Sequence, residues 1–188
     1  MTIFGPGGSQ RVFQPDIRRS GSYFTQAGDH ATLTALGGGA FTLQEKSGVI
    51  YAYQADGKLS YVQDLNGNRI TLGYAGSLLT MLTHSSGQSL QITYNGASRI
   101  QAVTDSLGRQ TLLSYDGANE HLAGAQYFDG RTAGYTYNLT LGPGLHALTQ
   151  VASSCCNRRY FDYDAQGRLV GTHLEGNAEA ITFAYDNA

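Results

Sequence analysis

The sequence has no tryptophan, few charged residues, three prolines and only two cysteines. Charged residues make up 14% of the 188 residues, against about 25% in ordinary soluble domains. Long surface helices carry many charged side chains, so this scarcity disfavours a helical fold. Glycine and tyrosine are abundant instead, with 25 and 13 residues, which favours short strands joined by glycine-containing turns.

Several protein classes are excluded by what is missing. The net charge of −2 provides no general attraction to nucleic acid or anionic lipid, so no nucleic-acid partner is expected. No apolar run approaches the roughly 20 residues that a membrane-spanning helix needs. The opening segment MTIFGPGGSQRVFQ lacks a basic stretch followed by an apolar one, so an export signal is not present in this chain.

The two cysteines, Cys155 and Cys156, are adjacent. Neighbouring cysteines form only a strained disulfide, and two thiols are too few for a zinc site with four ligands. We interpret them as a pair of thiols in a loop without a catalytic role.

A tyrosine recurs along most of the chain at a nearly constant spacing. Successive intervals are 21, 20, 21, 22, 26 and 22 residues, and a fixed period of this length indicates one structural unit per repeat. The repeated tyrosines, which we call the anchor tyrosines, are Tyr53, Tyr74, Tyr94, Tyr115, Tyr137, Tyr163 and Tyr185.

Each repeat contains two strand-like segments and two turn-like segments. KLSYVQD and RITLGY have the length and alternation of half-buried strands. DLNGNR, DSLGR and DAQGR place Asp at the start of a turn and Gly where the backbone needs a positive φ. Turns are therefore predicted near Gly57, Gly67, Gly96, Gly108, Gly130 and Gly167.

The repeat predicts an all-β chain in which each antiparallel hairpin leads directly into the next. About six units give about 12 strands, and a sheet this wide should curl into a curved strip or a segment of a spiral. We divide the chain into an N-terminal β segment, 1–47, and the repeats, 48–188, with an insertion at about 138–159. The anchor tyrosines are expected to pack in a row on one face.

YDAQGRLV, DLNGNRITLGY and DSLGRQTLLSY resemble the YD repeats of RHS-repeat proteins, which include bacterial polymorphic toxins, the C component of Tc toxins and the teneurins. The resemblance runs from about Gly48 to the end of the chain. It implies a hollow β-shell, which in the toxin members encloses a C-terminal effector. It also implies a secreted or cell-surface bacterial protein.

The chain departs from these toxins because it has no self-cleavage segment and no toxin domain. It stops at FAYDNA, within a repeat. We therefore expect a segment of a longer RHS-type polypeptide, or one chain of an assembly, whose partners are the remainder of the protein, an encapsulated toxin or surface glycans. A strand at Ile181 to Tyr185 is expected to have no successor to pair with in this chain. It should therefore be continued by further repeats, be covered by another chain, or make the isolated chain self-associate.

No motif predicts a cofactor, a metal ion or a catalytic group. The segment from Asp64 resembles a calcium loop, but it has Arg69 and Ala75 where the loop needs Gly and Glu. The five histidines have no metal-type spacing. The arginines that follow turn glycines, Arg69, Arg109, Arg131 and Arg168, are interpreted as partners of the turn carboxylates, with a basic ladder as the alternative.

Three functions are consistent with these features. The first is a structural shell segment of an RHS-type toxin without enzymatic activity. The second is a wall-associated or adhesive module whose curved sheet binds glycans. The third is an enzyme within the insertion between Asn138 and Arg159. Only His146 and the two cysteines support this third function.

Overall fold

The computed structural model describes residues 1–186, apart from the side chains of Pro6, Cys156 and Asn157. Within these residues the chain forms 19 β-strands and two short 3₁₀ turns, Pro6–Gly8 and Glu175–Asn177. The prediction of a nearly all-β chain is confirmed. No helix in the described part of the chain is long and apolar enough to cross a membrane.

The strands follow one another at short intervals along the whole chain. The first ten are β1 (Thr2–Phe4), β2 (Gln10–Val12), β3 (Gln14–Pro15), β4 (Tyr23–Phe24), β5 (Thr32–Gly37), β6 (Ala40–Gln44), β7 (Ile50–Tyr53), β8 (Leu59–Gln63), β9 (Arg69–Ala75) and β10 (Leu78–His84). The others are β11 (Ser89–Tyr94), β12 (Ile100–Asp105), β13 (Gln110–Tyr115), β14 (Leu122–Gln126), β15 (Thr132–Tyr137), β16 (Leu148–Ser153), β17 (Cys156–Tyr163), β18 (Leu169–Leu174) and β19 (Ile181–Thr182).

The strands from β5 to β19 form one 15-stranded sheet in which the spatial order is the order along the chain. The described pairings between successive strands are antiparallel. This arrangement confirms the predicted meander of hairpins. β1 pairs with β2 and β3 pairs with β4 in two separate ribbons. The sheet begins at β5, upstream of the first anchor tyrosine, so the meander is longer than the tyrosine spacing indicated.

Contacts divide the chain into two compact units, Met1–Gln91 and Ile92–Ala188. The first unit contains a small core of Ile3, Phe13, Ala31, Leu33 and Leu43. Phe13 is 1% exposed and Leu33 is fully buried. Both side chains are buried because the N-terminal segment, with β1 and β2, lies over the first strands of the sheet.

Register places a row of apolar side chains on the covered face of the first unit. Directly opposed residues of an antiparallel pair project to the same face. The row crosses five strands, in the order Leu33, Leu43, Tyr51, Val62 and Ile70. Its first two members are buried, whereas Ile70 is 44% exposed. The N-terminal cover therefore ends before β9.

Arg11 on β2 ties this cover to the sheet. Its guanidinium contacts Asp29 at 2.7 Å and also binds Glu45, which follows β6. The two carboxylates raise the pKa of Arg11, and the Arg11 hydrogen bond lowers the pKa of Asp29. A cation held between two carboxylates fixes the register of the N-terminal segment better than apolar contact alone.

The second unit has almost no core. Among the described side chains of residues 92–155 and 158–186, the buried hydrophobic ones are those of Ala102 and Ala125. In the pairing of β14 with β15, Gly124 faces Gly134, so neither residue contributes a side chain to a core. The stability of this unit therefore depends on strand pairing and on contacts at the turns, more than on burial of large side chains.

The turns are closed by residues in the left-handed conformation. Gly57, Gly67, Gly108, Gly130 and Gly167 have φ between 78° and 84°. The N–H of each donates to the carbonyl three residues earlier. The turn at residues 95–99 differs, because Ser98, with φ of 58°, takes this place. Gly96 lies in that turn as predicted, but it is not the residue with positive φ.

Two turn glycines allow a matched test of this geometry. An alanine at either position would be held at positive φ, which costs about 1–2 kcal/mol. At Gly57 nothing lies within 4 Å of an added Cβ, whereas at Gly167 the Cβ would collide with the backbone of Pro143 and Gly144. We expect Gly167→Ala to lower the free energy of unfolding by about 1–3 kcal/mol more than Gly57→Ala. Urea denaturation measures both, and equal losses would contradict the contact.

Candidate functional site

Every second turn of an antiparallel meander lies on the same side of the sheet, where the strands end. In the second unit, four connecting segments lie on one such side. We call this row of connections the shared edge; it consists of 95–99, 116–121, 138–147 and 164–168. Side chains join them directly. Asn95 Nδ2 donates to Asn119 Oδ1 at 2.8 Å, and Arg99 Nε donates to the Asn119 carbonyl at 2.9 Å. Residues 20 or more positions apart thus become neighbours.

In several turns the side chain of the first residue accepts backbone N–H groups of the same turn. Asp105 Oδ1 accepts the N–H groups of Leu107 and Arg109, each at 2.9 Å. Its other oxygen accepts Arg109 Nε at 2.6 Å. Asp164 binds Gln166 and Arg168 in the same way, with Arg168 Nε at 2.8 Å. Each carboxylate therefore closes its turn and neutralises the adjacent arginine.

Arg69 does not follow this scheme, contrary to the interpretation of all four arginines as carboxylate partners. Asp64 accepts the side-chain amide of Asn68 at 2.7 Å, whereas Arg69 donates to Gln63 Oε1 at 2.6 Å. The guanidinium lies 4.0 Å from the centre of the Tyr61 ring. Asn68 lies between Asp64 and Arg69 in the sequence, and its side-chain amide occupies the Asp64 oxygen that would otherwise bind the arginine. Asp64 also accepts the backbone N–H groups of Asn66 and Asn68, so this segment forms a turn.

Four anchor tyrosines make one recurring contact. The hydroxyl of each donates to the carbonyl of a residue 15 or 16 positions earlier, at 2.7–2.9 Å. The acceptor is always the first residue of a strand. The pairs are Tyr74 with Leu59, Tyr115 with Ile100, Tyr163 with Leu148, and Tyr185 with Leu169. The hydroxyl thus ties the end of a hairpin to the start of the same hairpin, at the end opposite its turn.

Basic turn residues cover two of these rings. Lys58 Nζ lies 5.5 Å from the ring centre of Tyr74, and the Arg168 guanidinium lies 4.7 Å from that of Tyr185. Both distances are within the range of a cation–π contact. A Gly-Lys/Arg-Leu sequence and the tyrosine of the following hairpin therefore form one packing unit. The expected direct packing between successive anchor tyrosines stays a prediction.

Two histidines meet at the shared edge. His121, in the turn after β13, has Nε2 2.8 Å from Nδ1 of His146, which lies in the insertion. The other nitrogen of His121 lies 2.6 Å from Asp116 Oδ2. The ring of Tyr137 lies 4.7 Å from that of His121. With Glu120, the two histidines place potential ligand atoms within 4.8 Å of one another.

Sequence spacing did not reveal this cluster. His121 and His146 are 25 residues apart, which is far from any motif spacing for metal ligands. They meet because the 116–121 turn and the 138–147 segment are neighbouring connections at the shared edge. One feature of the sequence does distinguish this turn. Asp116 begins DGANEH, which has no arginine to bind the carboxylate, whereas DSLGR and DAQGR each have one.

This chain resembles solved protein structures. No protein-family model and no curated protein matches the sequence. The chain aligns over 98% of its length with a crystal structure of TcdB2–TccC3–TEV, at a TM-score of 0.50 and 12% identity. It aligns over 95% with that of TcdB2–TccC3–Cdc42, at 0.53 and 14%. A Photorhabdus luminescens Tc holotoxin pore with a mutated TccC3 aligns over 92%, at 0.52 and 14%.

These likenesses establish the fold. The chain spans only 11–13% of the length of the matched chains. The predicted meandering antiparallel sheet is confirmed, and the Tc toxin structures share this sheet fold.

Removing one hydroxyl tests the tyrosine contact. Tyr115→Phe keeps the ring but leaves the Ile100 carbonyl without this donor, so we expect the free energy of unfolding to fall by about 0.5–1.5 kcal/mol. Tyr127→Phe is the matched control, because Tyr127 is 39% exposed and none of the described hydrogen bonds involves its hydroxyl. Urea denaturation of both variants is the measurement, and equal effects would show that the hydroxyl bond adds nothing.

The turn carboxylates predict a loss of stability in acid. The hydrogen bond from Arg109 lowers the pKa of Asp105, and that from the Arg168 N–H lowers the pKa of Asp164. A carboxyl group with a lowered pKa stabilises the fold above its unfolded value, about 3.9. This contribution is lost as the pH falls through the folded pKa. We therefore expect the urea midpoint to fall steeply below about pH 4.

Asp105→Asn provides the control for this acid effect. An amide keeps a side-chain oxygen for the turn N–H groups but does not titrate. The variant should be less stable than the wild type at neutral pH, and the difference should shrink as the pH falls below about 4. A difference that stays constant over that range would mean that Asp105 does not contribute through its charge.

Proposed function

We propose that the chain is a structural wall segment of an RHS-type β-shell, with no enzymatic activity of its own, in a protein that encloses or presents a toxin. The observation that carries this proposal is the single-layer sheet with an apolar face that is covered only in part. The N-terminal 1–47 leads into the wall, and 48–188 forms its repeats. The whole protein is secreted or displayed at the surface of a bacterium.

The uncovered face is well defined in the first unit. A second apolar row, Leu72, Leu82 and Leu90, crosses β9, β10 and β11. Leu72 lies two residues from Ile70 on the same strand, so both rows project to the face that Phe13 covers at its other end. Leu90 is 40% exposed. A sheet with such a face needs a second surface against it, and in a shell that surface is the enclosed material or the opposite wall.

The Tc toxin likeness supports the same reading. The matched chains belong to multichain structures that contain TcdB2 and TccC3, and the present chain shares their sheet fold. The partners proposed for this chain are accordingly the remainder of its own polypeptide or another chain of its assembly. A wall needs no catalytic residues, and the side chains of the repeats are used to close turns and tie hairpins.

Covalent footprinting of side chains tests the wall. The natural polypeptide that carries this chain and the 188-residue chain alone would be labelled under the same conditions. We expect Ile70 and Leu90 to be modified much less in the natural polypeptide, because the face that they occupy is then covered. Leu65, 74% exposed at a turn, is the internal control and should be modified equally in both.

Equal labelling of Ile70 and Leu90 in the two samples would contradict an enclosed face. A glycan array probed with the chain alone separates the wall from the adhesive alternative. Specific glycan binding together with unprotected Ile70 and Leu90 would replace the shell proposal by that of a carbohydrate-binding module.

A further inference from the structure

We propose that Glu120, His121 and His146 form a binding site for one divalent transition-metal ion of the zinc or nickel type. The site lies at the shared edge, where the 116–121 turn meets the 138–147 loop, which is the first part of the predicted insertion. It is independent of the proposed shell function, since it rests only on the residues of these two segments.

The donor atoms are close enough for a single ion. One ligand atom from each of the three residues lies within 4.8 Å of the others. The two imidazole nitrogens that face one another are 2.8 Å apart. Ligands with bonds of about 2.0–2.1 Å in a tetrahedral site lie about 3.3 Å apart. A displacement of about half an ångström at the exposed His146 therefore brings the pair to that separation.

His121 is oriented before any ion binds. Its side chain is 9% exposed, and its Nδ1 contacts Asp116 at 2.6 Å. The Tyr137 ring packs on its face. A carboxylate on the second nitrogen of a histidine fixes the tautomer and the orientation of the ring, as it does around metal-binding histidines generally. Nε2 is thereby directed at His146 and away from the sheet.

Comparison with the other turns shows what is unusual here. In the turns of Asp105 and Asp164, the second carboxylate oxygen binds an arginine four residues on. In the turn of Asp116 this oxygen binds His121, five residues on. An arginine would place a permanent cation at the edge. A histidine instead presents a lone pair there, which can bind a metal ion when the ring is neutral.

His146 is held towards this lone pair by the insertion. Its N–H donates to the Asn138 carbonyl at 2.8 Å, and the Asn138 N–H donates to the Ala147 carbonyl at 2.8 Å. Asn138 Nδ2 also donates to the Gly144 carbonyl at 3.1 Å. His146 itself has φ of 67°, a conformation that residues other than glycine seldom adopt.

The ligand set selects the class of ion. Two imidazole nitrogens and one carboxylate oxygen suit zinc, nickel, cobalt or copper, whereas calcium and magnesium require mostly oxygen ligands. Three protein ligands leave a fourth position for water or for a ligand from another molecule. Since Glu120 and His146 are exposed, an ion can reach the site without opening the sheet.

Isothermal titration calorimetry on the metal-stripped, untagged 188-residue chain tests the proposal. We expect saturable binding of one Zn²⁺ per chain, weaker or equal binding of Ni²⁺, and no binding of Mg²⁺. Zn²⁺ should also raise the melting temperature, because an ion bound only by the folded state stabilises it. His146→Ala should lower the affinity by more than the roughly tenfold to hundredfold loss typical of changes behind the ligands.

Two further variants keep the result unambiguous. His84→Ala removes a histidine from a turn in the other unit and should bind Zn²⁺ as the wild type does. Glu120→Gln removes an exposed ligand and should weaken binding even if the circular dichroism spectrum of His146→Ala shows a loss of folding. An absence of saturable Zn²⁺ binding to the wild type, or unchanged affinity in Glu120→Gln and in a folded His146→Ala, would overturn the site.

Discussion

The hydrogen bonds from backbone N–H groups to the first side chain of a turn are the interactions on which the rest of the structure depends. They are made in the turns that begin at Asp64, Asn95, Asp105 and Asp164. In a sheet of one layer, few side chains are buried, so burial does not hold consecutive strands in place. An Asp or Asn side chain that accepts the N–H groups two and four residues later fixes the chain reversal locally. Each hairpin is then closed by its own sequence, and the meander can continue through strands with modest apolar content.

The tyrosine hydroxyls add the second level of order. A hairpin that is closed only at its turn remains free to separate at its open end. Tyr115, at the end of β13, prevents this by donating to the carbonyl of Ile100, at the start of the paired strand β12. The donor and acceptor positions, 15 or 16 residues apart, fit within a period of about 21 residues. This geometry gives a physical reason for the recurrence of both the tyrosine and the Gly-Lys/Arg-Leu segment.

Most of the fold could be predicted because its determinants are local. Strand alternation, Asp and Gly at the turns and a constant period specify an antiparallel meander without reference to distant contacts. Two details within the turns were missed. In the 95–99 turn, Ser98 has the positive φ that a glycine has in the similar turns. Asp64 binds Asn68 and not Arg69, because DLNGNR is one residue longer than DSLGR and a different side chain reaches the carboxylate. The cover formed by Phe13 was also missed, since the N-terminal segment has no repeat from which to infer it.

The histidine pair shows a kind of site that sequence spacing does not reveal in such a fold. Alternate turns of a meander share an edge, so chemistry there is assembled from segments separated by one full repeat plus whatever has been inserted. The insertion after β15 lengthens that separation and hides it from motif searches. It also supplies His146. A tight turn of five residues would be too short to place a side chain against His121. An edge built of closed, rigid turns is therefore also the place where a lengthened loop can introduce a ligand without disturbing the sheet.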